Sequence, residues 1–132
     1  MDNDLLLQQL RELSLEEGKA LIQAHSSELT DHKALGEKLA DEALDKLYTP
    51  FLSLKLAELL IFFGEHAQHT SSHALGLKAK GDALVQIGHY QAALESLDTA
   101  GEEFLRLKDE GNWARSRISW IVACAWLGKA EE

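Results

Sequence analysis

Apolar residues recur along this chain at intervals of three and four, the spacing that places them on one face of an α-helix. In the segment 50–65, for example, Leu52, Leu56, Leu59 and Phe63 follow this spacing. Runs of β-branched residues are scarce, and there is no Asn-Gly or Asp-Gly hairpin signal. The pattern therefore predicts an all-α fold of about seven helices, near residues 4–12, 14–27, 31–47, 50–65, 72–87, 90–108 and 113–127.

Polar residues, proline and glycine predict where these helices begin and end. Ser14 and Glu17 have the spacing of a capping box, in which each side chain accepts a hydrogen bond from an unpaired backbone N–H. Pro50 suits the first position of a helix, and Gly88 supplies the left-handed residue that ends one. The remaining breaks are predicted at the polar loop 68–72, at a turn over 109–112 and at Gly128.

Segments 34–47 and 74–87 carry the same residue types at the same offsets, 40 positions apart. The shared residues are Ala34, Leu35, Gly36, Lys38, Ala43 and Leu44, matched by Ala74, Leu75, Gly76, Lys78, Ala83 and Leu84. A fixed period of this size is typical of helical hairpins that stack as a solenoid. We therefore expect a two-helix N-terminal cap at 1–30 and repeats at 31–132, with units that start near 34, 74 and 114 and an incomplete last unit.

The stretch 81–94 and the residues that follow it resemble the tetratricopeptide repeat (TPR). The positions that carry the resemblance are Gly81, Leu84, Gly88, Tyr90, Ala93, Leu97 and Ala100. The period of 40 exceeds the usual TPR period of about 34, and the closing proline is missing, so HEAT-type repeats of about 40–47 residues are the alternative. The resemblance implies a right-handed superhelix of helical hairpins that binds proteins, as in N-terminal arrays of bacterial multidomain signalling proteins.

The resemblance also implies a concave groove, because the first helix of each TPR pair lines one. The groove residues on this alignment include Lys38, Glu42, Lys78, Asp82, Gln86 and Arg115. Lys38 and Lys78 occupy equivalent positions, and two stacked ammonium groups would favour an acidic or carboxylate-bearing ligand. The alternative is that both lysines lie on a solvated helix face.

The last predicted helix is apolar on more than one side, which indicates that it is covered on both sides. Trp120, Ile121 and Trp126 form its candidate association edge. We expect either that the chain is the N-terminal part of a longer array or that this helix pairs with a second copy as a homodimer.

Composition narrows the possible partners. The 132 residues suffice for one domain, and the net charge of −9 disfavours nucleic acid and anionic membrane surfaces. No signal peptide or membrane-spanning run is evident, and a single cysteine excludes an internal disulfide, so a cytoplasmic protein is expected.

Candidate chemistry is sparse. His66, His69 and His73 have a spacing that can hold Zn²⁺ or Ni²⁺, but a predicted helix end within this stretch favours exposed loop histidines instead. No catalytic constellation or cofactor motif is present, so no metal or cofactor is expected. The sequence thus predicts a non-enzymatic TPR-type scaffold that binds a protein or peptide, within a larger signalling protein. The alternative is a ligand-sensing regulatory segment of a bacterial regulator or caspase-like protease.

Overall fold

The computed structural model describes residues 2–131, with side chains described for residues 2–129. This range contains no β-strand, one short 3-10 turn at Ser26–Glu28 and seven α-helices. The helices are α1 (Asn3–Glu12), α2 (Leu15–Ala24), α3 (His32–Asp45), α4 (Pro50–His66), α5 (Thr70–Ile87), α6 (Tyr90–Arg106) and α7 (Glu110–Glu131). From α3 onwards each helix packs against the next in sequence, as expected of a helical repeat. The predicted all-α class and number of helices are confirmed.

Three of the predicted terminal signals act as expected. Ser14 and Glu17 form the capping box, with both of its hydrogen bonds at 3.2 Å. Pro50 occupies the start of α4, where its missing N–H leaves no bond unmade. Gly88 ends α5 with φ of 95°, a left-handed conformation that glycine adopts without steric cost. Short-range chemistry therefore accounts for these boundaries.

The last three helices differ from their predicted bounds by two to four residues at one or both ends. Two non-glycine residues, Gln68 and Lys108, adopt left-handed backbone conformations with φ of 53° and 58°. Gln68 lies in the connection between α4 and α5, and Lys108 in the connection between α6 and α7. Asp109 then accepts a hydrogen bond from the backbone N–H of Asn112 at 3.1 Å, which starts α7 at Glu110 instead of Trp113. At the other end, Gly128 lies within α7, which continues to Glu131.

The backbone repeats with the same 40-residue period as the sequence. Helices α4 and α6 are offset by 40 residues at both ends, and α5 and α7 begin 40 residues apart. The turns agree as well, since the backbone N–H of His69 donates to the Gly64 carbonyl at 2.8 Å and the backbone N–H of Asp109 donates to the Phe104 carbonyl at 2.9 Å. These pairs are also offset by 40 residues. The helix bounds are therefore consistent with stacked units whose connections have the same geometry.

Helices α1 and α2 pack against α4 and share its apolar core. The fully buried members of this core include Leu6, Leu10, Ile22, Leu35, Leu39, Leu56, Leu59, Leu60 and Phe63. Lys55 on α4 also donates to the carbonyl oxygens of Arg11 and Leu13, both at 2.7 Å. This contact satisfies carbonyls at the C-terminal end of α1 and fixes that helix to α4.

No helix within residues 2–131 combines the length and the apolar character needed to cross a membrane. The longest, α7, has 22 residues and includes Arg115, Arg117 and Lys129 in its sequence.

Candidate binding groove

A groove of about 540 Å³ runs across the first helices of successive hairpins. Helix α3 forms one wall and α5 the other, and the start of α7 closes one end. The lining residues are Lys33, Glu37, Ala40, Asp41, Ala43 and Leu44 on α3, Leu47 in the turn after it, Ser53 on α4, Ser71, Leu75, Lys78, Ala79 and Asp82 on α5, Asp109 just before α7, and Asn112 and Arg115 on α7. This is a surface site formed by three units, as repeat proteins use for binding.

The lining contains an apolar strip beside a charged rim. The strip consists of Leu44, Leu47, Leu75 and Ala79. Leu44 is 56% exposed. An exposed leucine beside a concave surface is available to bury apolar area of a ligand. The groove can therefore supply hydrophobic contacts without rearrangement of the core.

The charges on the two walls differ in whether they are paired. On α5, Lys78 donates to Asp82 at 2.6 Å, so these two charges compensate each other. On α3, the carboxylates Glu37 and Asp41 are exposed and form no hydrogen bond or ion pair with the described residues. They are four residues apart, which places them on the same face of the helix. Lys33, four residues before Glu37, also lines this wall and forms no ion pair with the described residues, so the α3 rim has two unpaired carboxylates and one unpaired ammonium group.

The predicted groove residues separate into two sets. Lys78, Asp82 and Arg115 line the groove, whereas Lys38, Glu42 and Gln86 lie outside it. Lys38 Nζ lies 2.8 Å from the carboxylate of Asp4 on α1. The Glu42 carboxylate lies 2.5 Å from Arg11 and 4.0 Å from Lys46. Gln86 is exposed on α5. The two equivalent lysines are thus each paired with a carboxylate and do not form a stacked pair in one groove.

Helix α3 presents a different face to the groove from the one that the alignment indicated. Leu35 and Leu39 are buried in the N-terminal core, and the neighbouring Lys38 and Glu42 reach α1. The opposite face, with Glu37, Asp41 and Leu44, lines the groove. Helix α3 therefore contacts α1 with one face and lines the groove with the opposite face. The alignment of α3 with α5 selected the face of α3 that contacts α1, so it missed the residues of α3 that line the groove.

The candidate association edge on α7 is also divided between two faces. Trp120 packs inward against the cluster of Leu84, Val85, Ala93, Leu97 and Ala123. Ile121 and Trp126 are 62% and 47% exposed, and the Trp126 ring stacks on Tyr90 at 6.5 Å between centroids. The outward apolar surface of α7 therefore consists of residues other than Trp120.

The three histidines do not converge. His66 is exposed near the end of α4, and His69 Nδ1 lies 2.7 Å from Ser72 Oγ. His73 lies within α5, where Nδ1 is 2.8 Å from Glu103 and Nε2 is 3.3 Å from Glu65. The prediction of loop histidines is therefore wrong for His73, which links α4, α5 and α6. The described part of the chain contains no group of three or more histidine, cysteine, aspartate or glutamate residues placed to bind a metal.

Lowering the pH is expected to destabilise the protein through His69. Burial, with a smaller contribution from neighbouring His32, holds the pKa of His69 below the ordinary value of 6.5. The unfolded chain therefore takes up this proton first, so stability is lost as pH falls below about 6.5. Urea unfolding at several pH values should show a shallower loss of stability in His69→Gln than in the wild type, with pH 8 as the reference. An identical pH dependence in both proteins would contradict this assignment.

Comparisons with protein-family models, with curated proteins and with solved structures find no match to this chain. The TPR resemblance accordingly rests on the residues named above and stays a prediction.

Proposed function

We propose that this protein is a non-enzymatic interaction module of TPR-like type, which binds a short segment of a partner protein in the groove between α3 and α5. The observation that carries the proposal is the apolar strip of Leu44, Leu47, Leu75 and Ala79 beside unpaired carboxylates. Apolar strips with a polar rim are typical of sites that bind peptides or small molecules.

The charges favour a particular type of peptide. Glu37 and Asp41 are exposed and unpaired, beside the unpaired Lys33 on the same wall, and the whole chain has a net charge of −9. A segment with an apolar side chain next to lysine or arginine would fill the strip and pair with these carboxylates. We prefer this ligand to an acidic one, because the chain as a whole is acidic and Lys78 is already paired with Asp82, which leaves Lys33 and Arg115 as the cations of the groove without an ion pair among the described residues.

Selection from a displayed library of random peptides tests the proposal directly. We expect the enriched sequences to combine an apolar residue with a basic one, and Leu44→Glu to weaken binding of a selected synthetic peptide by about tenfold, or about 1.4 kcal/mol. The matched control is Leu105→Glu, because Leu44 and Leu105 are 56% and 55% exposed on helices but only Leu44 lines the groove. Equal affinities for Leu44→Glu and the wild type would count against the groove as the binding site.

A small-molecule ligand is the second candidate, within a regulatory segment of a larger signalling protein. The groove volume of about 540 Å³ lies within the range of small-molecule pockets, about 300–1,000 Å³. Failure to enrich any peptide, together with a metabolite-library compound that protects wild type but not Leu44→Glu against thermal unfolding, would favour this candidate.

A further inference from the structure

A second cavity lies where α2 and the 3-10 turn that follows it meet the start of α3 and the end of α4. Its volume is about 220 Å³, and it shares no lining residue with the groove. The lining residues are Ile22, Ser26, Leu29, His32, Phe63, His66 and Ala67. Since an engineered apolar cavity of about 150 Å³ holds benzene, this cavity has room for a ring of that size and a head group.

The inner wall of this cavity is apolar and belongs to the N-terminal core. Ile22, Leu29 and Phe63 are buried members of that core, and Ala67, just after α4, packs against it. These side chains are held in place by their contacts within the core. A small ligand that enters the cavity can therefore bury apolar surface against a preformed wall.

The outer wall carries three polar side chains, Ser26, His32 and His66. None of the three forms a hydrogen bond or an ion pair with another described side chain or backbone group. The His32 ring makes edge contacts with the rings of Phe63 and His69, at 5.6 Å and 5.9 Å between centroids. Because a hydroxyl and an imidazole can each donate a hydrogen bond, the cavity offers three donors to one ligand.

The charges around this cavity favour an anionic head group. The acidic side chains nearest in sequence have partners of their own, and these pairs are Glu28 with His25, Asp31 with the backbone N–H of Ala34, and Glu65 with His73. Burial, with a smaller contribution from His32, holds the pKa of His69 below its ordinary value, and no carboxylate of the described residues offsets this. The net charge of −9 opposes an anion only weakly, since exposed charges beyond about 10 Å are screened.

We propose that this cavity binds a small monocarboxylate whose apolar body is about the size of a benzene ring. The carboxylate accepts hydrogen bonds from Ser26, His32 and His66, and the apolar body lies against Leu29 and Phe63. A metal ion fits the cavity less well, because it needs at least a third ligand residue and the described part of the chain contains no such group. The cavity is separate from the groove, so the two proposals can succeed or fail independently.

Benzoate provides the probe, in an NMR titration of the full chain. We expect saturable binding with a Kd of about 1 mM and the largest shift changes at the backbone amides of Leu29, His32 and Ala67. Two related compounds separate the parts of the ligand. Acetate keeps the carboxylate without the ring, and benzyl alcohol keeps the ring without the charge, so each should bind at least about tenfold more weakly than benzoate.

Protein variants locate the binding site. His66→Ala should weaken benzoate binding by about fivefold, because it removes one donor from an exposed position without a change in the core. The matched control is His89→Ala, which removes an exposed histidine that lines neither cavity, and Leu44→Glu alters only the groove; both should bind benzoate like the wild type.

Three results would overturn the proposal. The first is the absence of saturable shift changes at the cavity residues, and the second is equal affinity for benzoate and benzyl alcohol. The third is benzoate binding that Leu44→Glu weakens and His66→Ala leaves unchanged, since the carboxylate would then lie in the groove.

Discussion

Replacement of Gly64 by alanine is expected to destabilise the protein by about 3 kcal/mol and to lower its Tm by about 10 °C. Gly64 lies where α4 crosses α5. A Cβ at this position would be 2.7 Å from the Cα of His73 and closer still to its backbone nitrogen. A side-chain obstacle can rotate away, but backbone atoms cannot, so the two helices would have to separate. Thermal unfolding followed by circular dichroism measures the effect.

Gly128→Ala is the matched control for this substitution. Gly128 also lies in a helix, but a Cβ there would meet nothing within 4 Å. Alanine is the better helix former by up to about 1 kcal/mol, so this variant should be as stable as the wild type or slightly more stable. If Gly64→Ala instead melted at the wild-type temperature, the close crossing of α4 and α5 would not exist in solution.

The helices and their period were predictable because local chemistry specifies them. The capping box of Ser14 with Glu17, the proline that starts α4 and the glycine that ends α5 all act within a few residues. The left-handed residues Gln68 and Lys108 were missed, because neither residue type signals that conformation. The early start of α7 followed from the second of these, and Asp109 as its cap was the signal that could have located it.

The groove was predictable only in part, because its walls depend on which neighbour each helix has. The alignment of first helices assigned Lys78, Asp82 and Gln86 of α5 to a groove, and the first two of these line the cavity between α3 and α5. Their α3 counterparts Lys38 and Glu42 face α1. The reason is that α1 lies beside α3 on the side that corresponds to the side of α5 on which α3 lies. Equivalent positions therefore have different surroundings at the first unit of an array, where the preceding element is not a repeat.

Equivalent positions also differ in size: at one crossing both residues are larger in the later unit, and at another the glycine lies on the opposite helix. Gly64 and His73 meet between α4 and α5, and the residues 40 positions later are Phe104 and Trp113, which meet between α6 and α7. Between α4 and α5, Gly76 makes room for the backbone of Ile61. Forty residues later the glycine is on the other helix of the pair, because Gly101 is the equivalent of Ile61 and Ser116 is the equivalent of Gly76. A comparison of single positions hides such exchanges, which is why the sequence repeat looks weaker than the structural one.

Phe104→Ala should have the largest effect on the C-terminal half, about 3–5 kcal/mol, because it removes a fully buried ring. Phe104 packs with Ala74, Ala100, Leu77 and Trp113, so its loss leaves a cavity between α5, α6 and α7. In a stacked repeat each unit contacts only its neighbours, and we expect α7 to loosen before the N-terminal core.

Two probes in one urea titration distinguish local loosening from global destabilisation. The chain has three tryptophans, Trp113, Trp120 and Trp126, and all lie on α7, so fluorescence reports this helix whereas circular dichroism reports all seven. For Phe104→Ala the fluorescence midpoint should fall further than the dichroism midpoint. Phe51→Ala, which truncates a phenylalanine that is 71% exposed on α4, should leave both midpoints near the wild type. Coincident midpoints in Phe104→Ala would show that the two halves unfold as one cooperative unit, because loss of contacts at α7 would then be transmitted through α4 and α5 to the N-terminal core.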